Sequence, residues 1–200
     1  MCAMPKNEKK TCIAITGTMA SGKSTVLSYL NKLGYETINC DIINAQLQKI
    51  NEKGYLRIVE VFGQEILDEN KELNRKKLSN LIFNDKKLKK ELESIMHPLI
   101  LNEINHIKEN VTSLTFIEVP LLYELGWEKY FDHHWLITCD ESKCYERCIK
   151  NRNMTKEEVK ARLNHQMSSE IKRQKAKVII ENNGDIQELY KTIDLLLERI

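Results

Sequence analysis

Residues 17–25 read Gly-Thr-Met-Ala-Ser-Gly-Lys-Ser-Thr, a full G-x-x-x-x-G-K-[ST] pattern. In such a loop the backbone N–H groups, with the N-terminus of the following helix behind them, converge on a polyphosphate. Lys23 then reaches the β- and γ-phosphates and the Ser24 hydroxyl ligates Mg²⁺. Gly17, Ala20, Ser21, Gly22, Lys23, Ser24 and Thr25 are therefore the expected residues for ATP. Moving a phosphoryl group also needs a group that takes the proton of the incoming hydroxyl, and carboxylates at strand ends are the candidates. Asp41, after a short strand at Glu36–Asn39, is one; its plain alternative is to cap a helix starting at Ile42. Glu118, closing an apolar run, is another: it holds Mg²⁺ through a water or simply ends a buried strand. His97 precedes Pro98, which disfavours helical backbone at the histidine, so the pair reads by itself as a kink with a hydrogen-bonding imidazole.

The loop works only between a strand and a helix, and both are legible. Thr11–Thr16 is a short β-branched run of the type found in buried parallel strands. Val26, Leu27, Leu30 and Leu33 follow helical spacing up to Gly34. The strand ending at Asp41 is expected close to the phosphate-loop strand. From Ile42 to about Asn110 the pattern is helical, punctuated by Gly54, Gly63 and Pro98. Further strands are expected at Ser113–Glu118, His134–Thr138 and Val178–Ile180, with polar residues at their C-terminal ends, where open α/β sheets bind ligands. Thr155 and Glu158 have capping-box spacing for a helix reaching about Gln166. Asp185 caps a last helix that buries Leu189, Ile193, Leu196, Leu197 and Ile200.

With 200 residues, one compact α/β domain with small insertions is expected. No run of some 18 apolar residues occurs and Met1–Lys10 carries no apolar signal core, so no membrane segment and a cytoplasmic location are the expectations. The six cysteines form no C-x-x-C pair, and reduced thiols fit them better than a disulfide framework. Cys144 and Cys148 are spaced for one helix face, with buried thiols preferred over a metal site. The net charge of +2 hides an asymmetry: Ser142–Lys175 carries ten basic and four acidic residues. Most of those lysines read as a solvated face, whereas arginines fork onto phosphate oxygens, which singles out Arg147, Arg152 and Arg162. Tyr145 is the one aromatic among them, too few for stacking bases, so no nucleic acid partner is expected.

Strand, phosphate loop, helix, strand, helical insert, two strands, basic helical segment, strand and helix is the arrangement of a small-molecule kinase. It predicts a three-layer P-loop NTPase fold of the α/β class with a five-stranded parallel sheet. The core takes 10–41, 111–140 and 176–200, a helical substrate-binding insert 42–110 and a helical lid 141–175. A GTPase is disfavoured by the lack of an N-K-x-D sequence. A nucleoside monophosphate kinase shares the loop, insert and lid, and a non-catalytic ATP-binding protein stays as a further alternative.

The residues beyond the loop resemble those of the dephospho-CoA kinase family over nearly the whole length. The likeness runs through Asn39-Cys40-Asp41, Phe62-Gly63, Leu73-Asn74-Arg75, Leu78, Ile82-Phe83, His97-Pro98 and Glu118-Val119-Pro120-Leu121-Leu122-Tyr123-Glu124. It continues with Arg147, Arg152, Arg162, Gln166, Ala176, Val178-Ile179, Asn182 and Gly184. The resemblance implies transfer of the γ-phosphate of ATP to the ribose 3′-hydroxyl of dephospho-CoA, with Mg²⁺. It implies Asp41 as catalytic base, Arg147 and Arg152 as lid arginines, and Arg75 and His97, with Asp41 and Glu118, as acceptor contacts. Asn39, Asn74, Glu118 and Lys177 stand where the family has Asp. Thr18 and Ala20 stand where its loop is glycine-rich. Oligomeric state is not legible.

Overall fold

The computed structural model describes residues 10–152, 154–164 and 166–200, with the side chains of Asn151, Arg152, Arg162 and Asn164 outside the description. Strands β1 (Cys12–Gly17), β2 (Glu36–Asn39), β3 (Thr115–Glu118), β4 (His133–Thr138) and β5 (Val178–Glu181) form one sheet in the order β2-β3-β1-β4-β5. β1 pairs in parallel with β3 and β4, and β4 with β5. β3 thus stands between β2 and β1, so the strand before Asp41 is close to the phosphate-loop strand in the sheet, with one strand between them. Short apolar runs give no signal of order within a sheet.

Helices α1 (Lys23–Lys32) and α9 (Ile186–Leu197) cover one face. Their Val26, Leu27, Leu30, Leu189 and Ile193 join Ile13, Ile15, Phe116, Trp135, Ile137 and Ile180, which alternate along the strands as the two-residue period of a sheet requires. Ala14, Ile117 and Leu136 point the other way and are equally buried. A sheet covered on both faces explains why these strands read as continuous apolar runs. Helices α6 (Glu141–Arg152), α7 (Lys156–Asn164) and α8 (Ser169–Lys175) fill the expected basic segment, and α8 packs on β4. The predicted capping box is present in both directions: Thr155 N–H donates to Glu158 Oε2 (2.8 Å) and Glu158 N–H to Thr155 Oγ1 (3.2 Å). Asp185 likewise accepts from Gln187 and Glu188 N–H.

Between β2 and β3 lie α2 (Cys40–Leu47), α3 (Lys53–Phe62), a 3-10 turn, α4 (Arg75–Asn84) and α5 (Lys86–Asn110). By compactness the chain divides into one unit made of residues up to Ile38 with Val111–Ile200 and another of Asn39–Asn110. The second has its own apolar cluster around Leu47, Tyr55, Ile58, Phe62, Ile66, Leu73, Leu78 and Met96. Within it α5 runs unbroken through His97 and Pro98. His97 is therefore helical, against the expectation that Pro98 disfavours helical backbone at the histidine: proline costs one backbone bond, and α2, α3 and α4 all pack along this 25-residue helix.

Two sulfurs also depart from expectation, since Cys139 and Cys144 form a disulfide, while Cys12, Cys40 and Cys148 are buried thiols. Five residues of separation across the start of α6 bring the two Cα atoms to 6.2 Å, within disulfide reach. Among the described residues no cluster of three or more His, Cys, Asp or Glu is arranged for a metal, and no helix is long and apolar enough to cross a membrane.

Candidate active site

The phosphate loop leaves the C-terminal end of β1, the sheet's middle strand, and turns directly into α1. Two glycines make the turn possible. A Cβ on Gly17 would lie 2.1 Å from Ile137 O of β4, and one on Gly22, at φ 107°, would lie 2.1 Å from Asn182 Nδ2. Lys23 folds back so that its ammonium donates to Gly17 O and Thr18 O at 3.0 Å each. The positive charge is thereby held inside the curve of the loop. Ser21 is fully buried and its Oγ has no hydrogen-bond partner, while Ser24 is exposed on the first turn of α1. Ala20 adopts the left-handed region at φ 61°, where glycine is the unstrained residue.

Asn182, just past β5, is the hub that sequence reasoning left without a role. Its Nδ2 donates to Ser21 O (2.8 Å), its N–H to Thr138 O (2.8 Å), and its carbonyl accepts from Arg147 Nη2 (3.0 Å). One buried asparagine, through its side chain and its backbone, therefore ties phosphate loop, β4 and α6 together. Its signal was available: a polar residue directly after an apolar strand, at the sheet end where ligands bind. Arg147 Nη1 and Thr138 Oγ1 are buried without a hydrogen-bond partner. Orphaned donors beside a phosphate loop fit a site built for a polar ligand, because a buried unpaired donor costs about 1–3 kcal/mol.

Glu118 ends β3 in register with Ile15 of β1 and is 7% exposed. Asp41, exposed in the first turn of α2, is not that helix's cap: Asn39 is, its Oδ1 accepting Asp41 N–H at 2.7 Å. The capping alternative for Asp41 is thus overturned, and Asn39 keeps the cap that an Asp at this position would also supply. Asn74 serves α4 in the same way, accepting from Lys77 N–H at 3.0 Å. Arg75 lines a hollow of about 460 Å³ with Ala45, Gln48, Lys49, Ile50, Glu72 and Leu73. His97 is half-buried in α5, and burial holds its pKa below the usual histidine value against the opposing charge of Glu93. The side chains of Arg152 and Arg162 lie outside the described residues. Ser24 and Glu118 each offer a hard oxygen donor, the type that suits a cation keeping most of its waters and sharing phosphate oxygens.

The family model for dephospho-CoA kinase matches residues 11–188. The chain belongs to the dephospho-CoA kinase family. A dephospho-CoA kinase of Lactobacillus johnsonii is 35% identical over 94% of this chain and 97% of its own. One of Streptococcus pneumoniae is 35% identical over 93% and 94%. Among solved structures, a Thermus thermophilus protein superposes with a TM-score of 0.81 at 30% identity, covering 95% of this chain and 97% of its own. The dephospho-CoA kinase of Campylobacter jejuni gives 0.66 at 27%, covering 94% and 96%. Shikimate kinase of Acinetobacter baumannii, at 16% identity over 96% of each chain and a TM-score of 0.55, shares the fold. As in other dephospho-CoA kinases, ATP is the phosphoryl donor, and the family match sets the nucleoside monophosphate kinase alternative aside.

Proposed function

We propose that this chain transfers the γ-phosphoryl group of Mg·ATP to the ribose 3′-hydroxyl of dephospho-CoA, giving ADP and CoA. The observation that carries the donor half is the phosphate loop curved around the Lys23 ammonium. In the proposed mechanism Lys23 exchanges the Gly17 and Thr18 carbonyls for phosphate oxygens, while loop N–H groups hold the β-phosphate. Asp41 takes the proton of the 3′-hydroxyl as its oxygen bonds to the γ-phosphorus and the bond to the ADP oxygen breaks. Ser24, with Glu118 through a water, would hold Mg²⁺, which would supply positive charge against the phosphate oxygens. Arg147 and Arg152 serve the transferring group from a lid at 141–175, whose closure excludes water. Arg75 and His97 hold the acceptor in the 42–110 insert.

The test is an acceptor panel: purified protein with Mg·ATP and, in turn, dephospho-CoA, AMP, CMP or no acceptor, following ADP and phosphorylated product. Product with dephospho-CoA alone is expected. Product with a monophosphate would replace this reading, and nucleotide binding without turnover would reduce the chain to a non-catalytic ATP-binding protein.

A further inference from the structure

One lysine of the basic segment is not on a solvated face. Lys172 of α8 is 0% exposed, and its ammonium lies 2.8 Å from Glu124 Oε1 in an ion pair bent away from hydrogen-bond geometry. Glu124 comes from the turn after β3 and is 15% exposed; its Oε2 is buried without a hydrogen-bond partner. The same Oε1 accepts Met167 N–H at 2.9 Å. Next to Met167, Gln166 Oε1 accepts the N–H of Met19, inside the phosphate loop, at 3.1 Å. Met19 also packs with Cys148, Met154 and Val159 from α6, α7 and the connection between them.

A buried ion pair rarely stabilises more than a well-packed apolar pair would, so its retention asks for another reason. Here the carboxylate fixes a backbone N–H, that backbone aims Gln166, and Gln166 fixes the loop. We infer that Glu124 and Lys172 are positioning residues: their pair is an anchor that, through Met167 and Gln166, holds Met19 and the phosphate loop in ATP-binding shape. The inference rests on the nucleotide-binding reading of the loop and needs no particular acceptor.

Removing either charge alone leaves the other buried and unpaired and is expected to lower Tm by about 10 °C, which says nothing about position. Two charge-free double variants separate the roles. Glu124→Gln with Lys172→Met keeps a carbonyl acceptor for Met167 N–H, and Glu124→Met with Lys172→Met does not. ATP affinity is read by calorimetric titration at a temperature where each protein is folded, without acceptor. The Gln–Met protein is expected to bind ATP within about twofold of the parent and the Met–Met protein about tenfold more weakly, the scale of one lost hydrogen bond. Gln166→Ala should weaken ATP by a similar factor, and adding it to the Met–Met protein should weaken it no further, as for residues on one path. Parent-like ATP affinity in the Met–Met protein, or additive losses, overturns the inference. Because no acceptor is present, these outcomes are distinguishable from a failure of dephospho-CoA to be phosphorylated.

Discussion

The proton acceptor is the most demanding single residue. Asn39 takes the capping role at α2, which leaves the Asp41 carboxylate outside the cap. Asp41→Asn keeps its size and removes its basicity, so kcat should fall about 10²–10⁴-fold, the usual scale for a lost general base, with ATP affinity close to that of the parent. Steady-state kinetics with dephospho-CoA checks this; an unchanged kcat would remove Asp41 from the chemistry. Two loop positions should respond in opposite directions. Ala20 sits at φ 61°, where an L-residue costs about 1–2 kcal/mol, partly offset in glycine by the greater freedom of the unfolded chain. Ala20→Gly should therefore raise stability by about 0.5–1 kcal/mol in denaturant titration. Gly22→Ala would set a methyl group 2.1 Å from Asn182 Nδ2 at φ 107°. It should break the Asn182–Ser21 bond, with a loss of at least about 2 kcal/mol.

At the scale of elements, the turn after β3 meets β4 through Tyr123 Oη and His134 Nδ1, 2.9 Å apart. Burial pushes the Tyr123 hydroxyl's pKa up, helped by the charge of Glu128. Burial also pushes the His134 imidazole's pKa down, against the attraction of Glu128 and with the repulsion of Lys177 and His133. A histidine whose folded pKa lies below its unfolded value of 6.5 costs nothing at higher pH. Below that value the unfolded chain takes up the proton first, and stability is lost as pH falls through the folded pKa. Unfolding stability, read as Tm, should thus drop as pH falls below about 6.5, by at most about 1.4 kcal/mol per pH unit for this one proton. His134→Gln, which keeps a hydrogen-bonding partner for Tyr123, should flatten part of that drop. An identical pH profile would mean that the imidazole is not held neutral. His97, also shifted down by burial, accounts for a further part and stays in place as an internal comparison.

For the whole molecule, local patterns were legible and sheet order and cross-chain ties were not. The strand–loop–helix around Gly17–Lys23, the Thr155–Glu158 box and the Asp185 cap each lie within a few neighbours in sequence, so residue type alone specifies them. Strand order, the partner of Lys172 and the bonds of Asn182 join residues far apart in the chain; the Asn182–Ser21 pair is 161 positions apart. Pro98 misled about the backbone of His97, which is helical, because packing outweighs a single lost backbone bond. The division into two units, each with its own apolar cluster, sets the last expectation. ATP alone, at about 100 times its Kd, should add about 2.7 kcal/mol to unfolding stability. In hydrogen exchange it should slow 17–27, 139–147 and 182–184, the segments joined by Asn182 and Arg147. Residues 39–110 should exchange as before until dephospho-CoA is added, when segments around Arg75 and His97 should slow. Protection of 39–110 by ATP in the absence of acceptor would show that this unit also receives the donor, and that the assignment of donor and acceptor to separate units is wrong.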